Sequence, residues 1–357
     1  MRIAIDGFEL DGNFTGVGRY LKNLLNAILR TDKENSYTLF KKNNNDPFKK
    51  NNLKVISLPS SQSYARWQNG KLIKALDSEN FDLFFSPNHT IPIFYKRRSF
   101  MTVHDVSWRG IPGNFSMKER LSRDIRTRLS INKCEKIFTD SDFSKVETEH
   151  YYHLSGGKII PIHLGIENEF QREPNKKITA FKKKYDLIGY KTVGFLGSMF
   201  KRRHIPDLIK AFFILKGEFK IKLFLVGNIF DNEVKKFIQE KEIIHIDRIN
   251  EEEIRSFYSS MDVFAYLSEY EGFGFPPLES LMCGTIPLLL RSSSLEEVFK
   301  DIAVFIKNPS PETIAENISG IILKKEYFND KIFGKFNESK NYFSWDRVAK
   351  EYLKHFK

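Results

Sequence analysis

Two carboxylates and two glycines crowd into Ser268-Glu269-Tyr270-Glu271-Gly272-Phe273-Gly274-Phe275-Pro276-Pro277-Leu278-Glu279. The apolar run Val263 to Leu267 before it reads as a buried strand ending in a turn. Glycines one residue apart let a backbone approach a ligand with no Cβ in the way. Pro276 pushes Phe275 toward an extended conformation, and Pro277 suits the first position of a helix. Such a helix aims its free amides and positive dipole end back at the turn, a setting that favours a phosphate. Glu271 and Glu279 would flank that corner as acceptors for sugar hydroxyls. A nucleotide sugar supplies both phosphate and hydroxyls. The plainer alternative is a surface connection whose Glu279 only complements the helix dipole.

The string resembles the two-glutamate motif (Glu, seven residues, Glu) of the retaining GT-B glycosyltransferases, in the large family that includes bacterial mannosyltransferases of surface polysaccharide synthesis. The following Leu281-Met282-Cys283-Gly284-Thr285-Ile286-Pro287 is close to that family's continuation. The resemblance implies an α/β fold of GT-B type, two doubly wound Rossmann-like domains facing across a cleft. It also implies that Gly272, Phe273, Gly274 and Glu279 bind the donor, Glu279 at the ribose, while Glu271 orients sugar hydroxyls.

Three other stretches could do chemistry. Asp11-Gly12-Asn13-Phe14-Thr15-Gly16-Val17-Gly18-Arg19-Tyr20 follows a first strand and opens a helix. It lacks the third glycine of a dinucleotide fingerprint, which argues against NAD. It resembles the family's Thr-Gly-x-Gly-Arg-Tyr opening, and of its glycines Gly16 is the better candidate for the donor side. Gly197-Ser198-Met199-Phe200-Lys201-Arg202-Arg203-His204 puts three consecutive cations between a strand and a helix, where arginines can grip a diphosphate. The family pattern there is Gly-x-x-x-x-Arg-Lys-Asn. Arg202 matches its Arg, Arg203 stands for its Lys, and His204 departs from its Asn. Gly197, Arg202 and Arg203 are thus expected on the donor phosphates.

His104-Asp105 follows the apolar run Met101–Val103. A lone histidine at a strand end is as a rule structural, but the resemblance to the family's Val-x-His-Asp element assigns His104 to catalysis, with Arg203 and Glu271. His89 and Asp105 are weaker candidates for the acceptor side. Asp140-Ser141-Asp142 has the look of a divalent-cation motif. Its position between a strand and a helical run is explained by helix capping, and the resemblance implies Ser-x-x-Ser and no metal. No cofactor and no obligatory metal are expected.

Alternating short apolar strands and helical patterns must position these groups, which implies parallel sheets covered by helices. Strands are predicted at 3–6, 37–40, 55–58, 83–86, 101–103, 137–139 and 159–162, then at 192–196, 221–226, 243–246, 263–267, 286–290 and 304–306. Helices are predicted over 17–29, 66–76, 118–131, 143–151, 205–215, 233–239, 251–260 and 313–323. Residues 43–52 form a polar Asn/Lys loop. The expected division is an acceptor-side domain, 1–168, and a nucleotide-sugar domain, 172–341, joined by the polar run 165–175. The helix of 342–357, with Ser344 as N-cap, resembles the family ending that returns to the first domain.

The chain has 357 residues, 41% hydrophobic and 29% charged, with two widely spaced cysteines. These values describe a globular protein with reduced thiols, and no apolar run approaches a membrane span. The N-terminus lacks the apolar core of a signal peptide, so a cytoplasmic location is expected. The net charge of +12 is uneven: residues 1–168 hold 26 Lys and Arg against 18 Asp and Glu, and the remainder 31 against 27. No nucleic-acid-binding signature accompanies it. In Ser116–Leu129, Met117, Leu121, Ile125 and Leu129 recur at four-residue spacing among Lys118, Arg120, Arg123, Arg126 and Arg128. Tyr95-Lys96-Arg97-Arg98 adds a second basic cluster. Packing against the core would explain the stripe. Attraction to anionic lipid, at about 1 kcal/mol per well-placed cation, would explain the charge and make peripheral attachment to the inner membrane face an expectation.

The activity implied is transfer of a hexose, with GDP-mannose as first donor and a UDP-hexose as second, to a saccharide acceptor that is expected to be lipid-linked. A nucleotide-sugar epimerase of the same fold would consume donor without acceptor. A non-enzymatic basic membrane-surface protein would bind no donor.

Overall fold

The computed structural model describes residues 1–357 except 12–15, 44, 46, 47 and 155. Gly12 to Thr15 of the glycine-rich opening and part of the Asn/Lys loop therefore lie outside the described residues. The chain divides into two compact units, Met1–Gly165 with Tyr342–Lys357, and Ile166–Asn341.

The first unit holds a seven-stranded parallel sheet built from β1 (Arg2–Asp6), β2 (Ser36–Lys41), β3 (Leu53–Ser57), β4 (Leu83–Ser86), β5 (Ser99–Val103), β6 (Lys136–Thr139) and β7 (Ile159–Pro161). Their order is β3-β2-β1-β4-β5-β6-β7. The central strands β4 and β5 are buried along their whole length, as strands covered on both faces must be. The second unit repeats the plan with β8 (Lys191–Leu196), β9 (Ile221–Val226), β10 (Ile243–Ile246), β11 (Val263–Tyr266), β12 (Ile286–Leu290) and β13 (Val304–Ile306), ordered β10-β9-β8-β11-β12-β13. In both all-parallel sheets the strand order reverses beside the first strand, between β1 and β4 and between β8 and β11. In open parallel sheets such a reversal opens a crevice at the carboxyl ends of the strands, where ligands bind.

The helix Trp345–His355 belongs to the first unit and packs on the helix Gly16–Thr31. Ser344 caps it by accepting from the Asp346 amide at 3.2 Å. Val348, Ala349 and Tyr352 are fully buried, and each large apolar side chain so placed is worth about 1.5–3 kcal/mol. Tyr352 shares a hydroxyl contact of 2.8 Å with Tyr20, which in turn meets Thr102 on β5. Gly165 touches the Trp345 backbone so closely that a Cβ would come within 2.5 Å of its nitrogen.

Among the expected helices and the linker, three differ from the structure. Residues 66–76 are not one regular helix: Tyr64–Trp67 and Ile73–Asp77 flank a π-helical turn, Gln68–Leu72. Gln68 and Asn69 there turn their amides onto Thr90 and Ala65, so side-chain bonds compete with the regular ladder. Residues 233–239 give only the short 3₁₀ turn Val234–Lys236, because Val234 alone is buried and one anchor cannot hold an α-helix. The polar run 165–175 is fastened at its end to the second unit. Glu173 pairs with Arg255 at 3.0 Å, its amide donates to Ser259, and the helix Asn175–Lys184 starts at once.

Candidate active site

In the second unit the carboxyl ends of β8 and β11 bring together Arg203 and Glu271. A 3₁₀ turn, Lys201–Arg203, returns the chain toward the sheet. Gly197, at φ +144°, ends β8, and a Cβ there would run into the Arg203 guanidinium. Gly227, at φ +135°, ends β9 and lies against the Gly197 carbonyl. Glycine is required at both places by close approach. His245 on β10 then donates to the Gly227 carbonyl at 2.9 Å, so three strand ends support the loop.

Arg203 Nη2 and Nε both donate to Glu271 Oε1, at 2.8 and 3.1 Å, and its Nη1 donates to the Ser198 carbonyl at 2.9 Å. Tyr266, the last residue of β11, donates to the same Glu271 oxygen at 3.0 Å, and its ring lies 5.1 Å beneath the guanidinium. The pair is nearly sealed, with side-chain exposures of 10% and 14%. Burial works against the charge of Arg203, but Glu271 and Tyr266 outweigh it and hold the guanidinium protonated beyond its ordinary range. Burial likewise pushes the Tyr266 hydroxyl up, so it remains a donor.

Glu271 is also held through its backbone. Its amide donates to Ser293 Oγ at 3.1 Å and its carbonyl accepts from Ser294 Oγ at 2.8 Å. Ser198, Tyr266, Ser293 and Ser294 are partners that sequence reasoning missed. The signal for the serines was present: Arg291-Ser292-Ser293-Ser294 follows β12, the neighbour of β11, and strand ends in a parallel sheet share one edge.

Gly274 takes φ +99° just ahead of the helix Phe275–Met282, which starts two residues before the expected Pro277. A Cβ on Gly274 would meet Leu295 at 2.7 Å, so packing as well as backbone conformation demands glycine here. Phe273 is buried, with its ring 5.4 Å from that of Phe275. Glu279 does not lie on an open surface. It is 1% exposed and accepts from the Tyr258 hydroxyl at 2.6 Å, tying its helix to Glu251–Ser260. The two glutamates of the motif therefore have different partners.

Arg202 stays half-buried with its guanidinium 5.0 Å over the Phe200 ring, and its Nε finds no acceptor although it is enclosed. That enclosed donor suits an anionic ligand. His204 sits at φ +51° as the residue before the helix Ile205–Leu215, spanning Asp207 and Glu269 at 3.0 Å each. An Asn tolerates such a conformation well, and the histidine here is held by two carboxylates instead.

In the first unit the corresponding edge gathers His104, Asp140 and His89. The pairing Val103↔Thr139 sets His104 and Asp140 side by side as the next residues of β5 and β6. His104 Nδ1 meets Asp140 Oδ2 at 2.7 Å and its Nε2 meets the Pro87 carbonyl at 2.9 Å. A carbonyl can only accept, so Nε2 carries a hydrogen, and the proton count of the pair rests on the Asp140 side. Burial lowers the affinity of His104 for a proton, but Asp140 more than restores it. Asp140 is thus the partner of the histidine, a correction to reading it only within a capping sequence. Capping itself is done by Ser141, which accepts from the Ser144 amide at 3.1 Å.

His89 turns its ring edge-on to His104 at 5.6 Å and to Trp108 at 5.1 Å, and its Nδ1 is enclosed with no hydrogen-bond partner. Burial first, then His104, Arg123 and Arg126, drive its proton affinity down, so it is neutral. Asp105 instead accepts from the Ser107 amide at 2.8 Å and shapes the local turn. Gly16 is exposed as the first residue of its helix, and among the described residues beyond its neighbours and its own helix no atom would lie within 4 Å of a Cβ there. Just ahead, Asp11 is anchored to the buried Lys41 at 3.3 Å.

Residues 177–332 match the family described as Glycosyl transferases group 1. Over 246 residues the chain is 25% identical to the O-antigen chain mannosyltransferase B of Escherichia coli, spanning 66% of this chain and 64% of that one. It is 23% identical to the O-antigen chain mannosyltransferase RfbU of Salmonella typhimurium, spanning 65% and 62%. The matches therefore cover less than two thirds of each of these relatives. Among solved structures, Anabaena Alr3699/HepE in complex with UDP and glucose aligns with a TM-score of 0.77 at 14% identity, covering 100% of this chain and 99% of that one. The shared architecture is the two-domain α/β fold of the GT-B glycosyltransferases.

Proposed function

We propose, from the premise that residues 177–332 are a glycosyl transferases group 1 domain, that the chain is a retaining glycosyltransferase acting in the cytoplasm. It moves a hexose from a nucleotide sugar to a saccharide acceptor, lipid-linked, in surface polysaccharide or glycolipid synthesis. The observation that carries this reading is the buried Arg203–Glu271–Tyr266 assembly at the point where the strand order of the second sheet reverses. Arg202, with its enclosed donor, and Arg203 face the departing diphosphate, together with the amides around Gly272–Gly274. Charge that develops on a leaving phosphate is where fixed donors lower a barrier most. Glu271 orients the sugar hydroxyls and Glu279 accepts from the ribose. His104, held by Asp140, reaches the reacting sugar by exchanging its Nε2 bond to the Pro87 carbonyl for one to a sugar hydroxyl, and Gly16 leaves room for the donor.

The leaving phosphate oxygen takes the acceptor proton on the same face of the sugar, so no side-chain base is required. Arginines and amides do the work of a cation, and no metal is obligatory. Likeness to O-antigen mannosyltransferases supports GDP-mannose as donor. A UDP-hexose is the second reading, favoured by the fold likeness to a protein solved with UDP and glucose.

The test is donor turnover with GDP-mannose and UDP-glucose over a panel of saccharide and lipid-linked acceptors, with and without EDTA. The product's anomeric configuration is read by NMR. Acceptor-dependent transfer with retention, unaffected by EDTA, is expected. Donor epimerised without acceptor, an inverted product, or activity abolished by EDTA and restored by Mg²⁺ would each overturn the corresponding part.

A further inference from the structure

The helix Met117–Lys133 turns its apolar stripe away from the protein. It buries Thr127, Ser130 and Ile131, while Met117, Leu121, Ile125 and Leu129 are 74%, 58%, 48% and 39% exposed. Packing against the core, the simpler account of that stripe, is therefore ruled out. A capping box at Ser116 and Glu119 fixes the start of the helix. Beside its other end, Ser130 accepts from the Ile91 amide at 3.0 Å and Lys133 donates to the Ile93 carbonyl. The next residue, Phe94, stands 73% exposed. Four large apolar side chains thus line the outward side of the helix, and a fifth, Phe94, is exposed next to the residue that Lys133 reaches.

The charge around that face is one-sided. The helix carries Lys118, Arg120, Arg123, Arg126, Arg128 and Lys133 against Glu119 and Asp124. Glu119 is engaged by the capping box, and Asp124 is held by Arg109. Lys118 and Arg123 are exposed next to the stripe, and the exposed Lys96 and Arg97 follow Phe94, while Arg98 is paired with Glu135. Apolar side chains ringed by cations suit an interface that is hydrocarbon inside and anionic at its surface, because long basic side chains can lay their stems on the apolar part and keep their heads at the phosphates. Among the described residues no helix is long and apolar enough to cross a membrane, so such a contact would be peripheral.

We infer that the outer face of Met117–Lys133, with Phe94, docks on an anionic lipid bilayer, the helix lying in the plane of the headgroups. This inference does not rest on sugar transfer. A failure of catalysis leaves it standing, and a failure of docking leaves the catalytic reading standing.

The experiment is co-sedimentation of the full chain with vesicles of phosphatidylglycerol and phosphatidylcholine, or phosphatidylcholine alone, at low and high salt. Wild type is compared with Leu121→Glu/Ile125→Glu and with Lys118→Glu. Both alter exposed positions, and equal melting temperatures check that the fold is kept. Wild type should partition onto anionic vesicles roughly tenfold or more in preference to neutral ones, and less at high salt. The double variant should lose roughly tenfold or more of that binding, and Lys118→Glu a smaller part. Equal or negligible binding in all conditions overturns the inference, as does binding that both variants leave unchanged. So does self-association of wild type that the double variant abolishes without any vesicle binding, which would make the face a contact between copies.

Discussion

Removing one partner of the Arg203–Glu271 pair strands the other charge where little water reaches it. Arg203→Met deletes two donors to Glu271 and one to the Ser198 carbonyl, in a site where the two side chains are 10% and 14% exposed. Breaking a nearly buried pair from one side costs roughly 3–5 kcal/mol. For a unit the size of Ile166–Asn341 that lowers the melting temperature by about 6–20 °C. Glu271→Gln keeps the shape and leaves Tyr266 an acceptor, so its cost is expected to be smaller. The double variant removes both charges together, and the two effects should fail to add by roughly 1–3 kcal/mol. The assay is urea and thermal unfolding of the four proteins, alongside donor turnover. Turnover should fall roughly 10²-fold or more in each single variant, since contacts to a departing diphosphate strengthen in the transition state. Additive stabilities within about 0.5 kcal/mol would refute the coupling. Unchanged turnover in a folded Arg203→Met would remove this arginine from the mechanism.

Two further outcomes follow from particular side chains. Gly16→Ala places a methyl group where, among the described residues, no atom beyond its chain neighbours and its own helix lies within 4 Å. Stability should hold or rise by about 0.4–1 kcal/mol while donor turnover drops, and unchanged turnover would show that no ligand approaches there. Asp6 is buried, and that burial raises its carboxyl from the usual 3.8 to about 6 against the bonds from Phe8, Tyr64 and Gln68. A folded value above the unfolded one gives stability that is complete below pH 3.8 and lost as pH rises through about 6, a swing of roughly 3 kcal/mol. The melting temperature of Asp6→Asn relative to wild type should therefore climb from pH 4.5 to 7.5. A constant or falling difference would contradict it.

The strands were legible because parallel sheets need short runs that are apolar on both faces. Leu83–Ser86, Ile221–Val226 and Ile286–Leu290 stand where apolar continuity places them. Helices with few anchors were not legible. Asn175–Lys184 buries only Ile178 and Phe181, and Lys325–Ser339 only Ile332 and Phe336, too little to stand out from a polar connection. At the site, the loop glycines and Arg203 could be read from type and spacing. That Arg203 and Glu271 bond directly could not, because 68 residues separate them and the contact exists only once β8 lies beside β11. The His104–Asp140 pair shows the same limit: it follows from the register of β5 and β6, which local periodicity does not contain.

The central claim is that the second unit holds a nucleotide sugar. Its most direct test is the melting temperature of wild type and Arg202→Ala against GDP, UDP, ADP and their hexose conjugates, since a ligand that binds the folded state alone raises it. Arg202 is chosen because its enclosed Nε has no acceptor, so its loss should spare the fold. The account predicts a concentration-dependent rise with GDP and GDP-mannose for wild type, and a much smaller one for Arg202→Ala. No rise with any nucleotide, or an equal rise in both proteins, would contradict it.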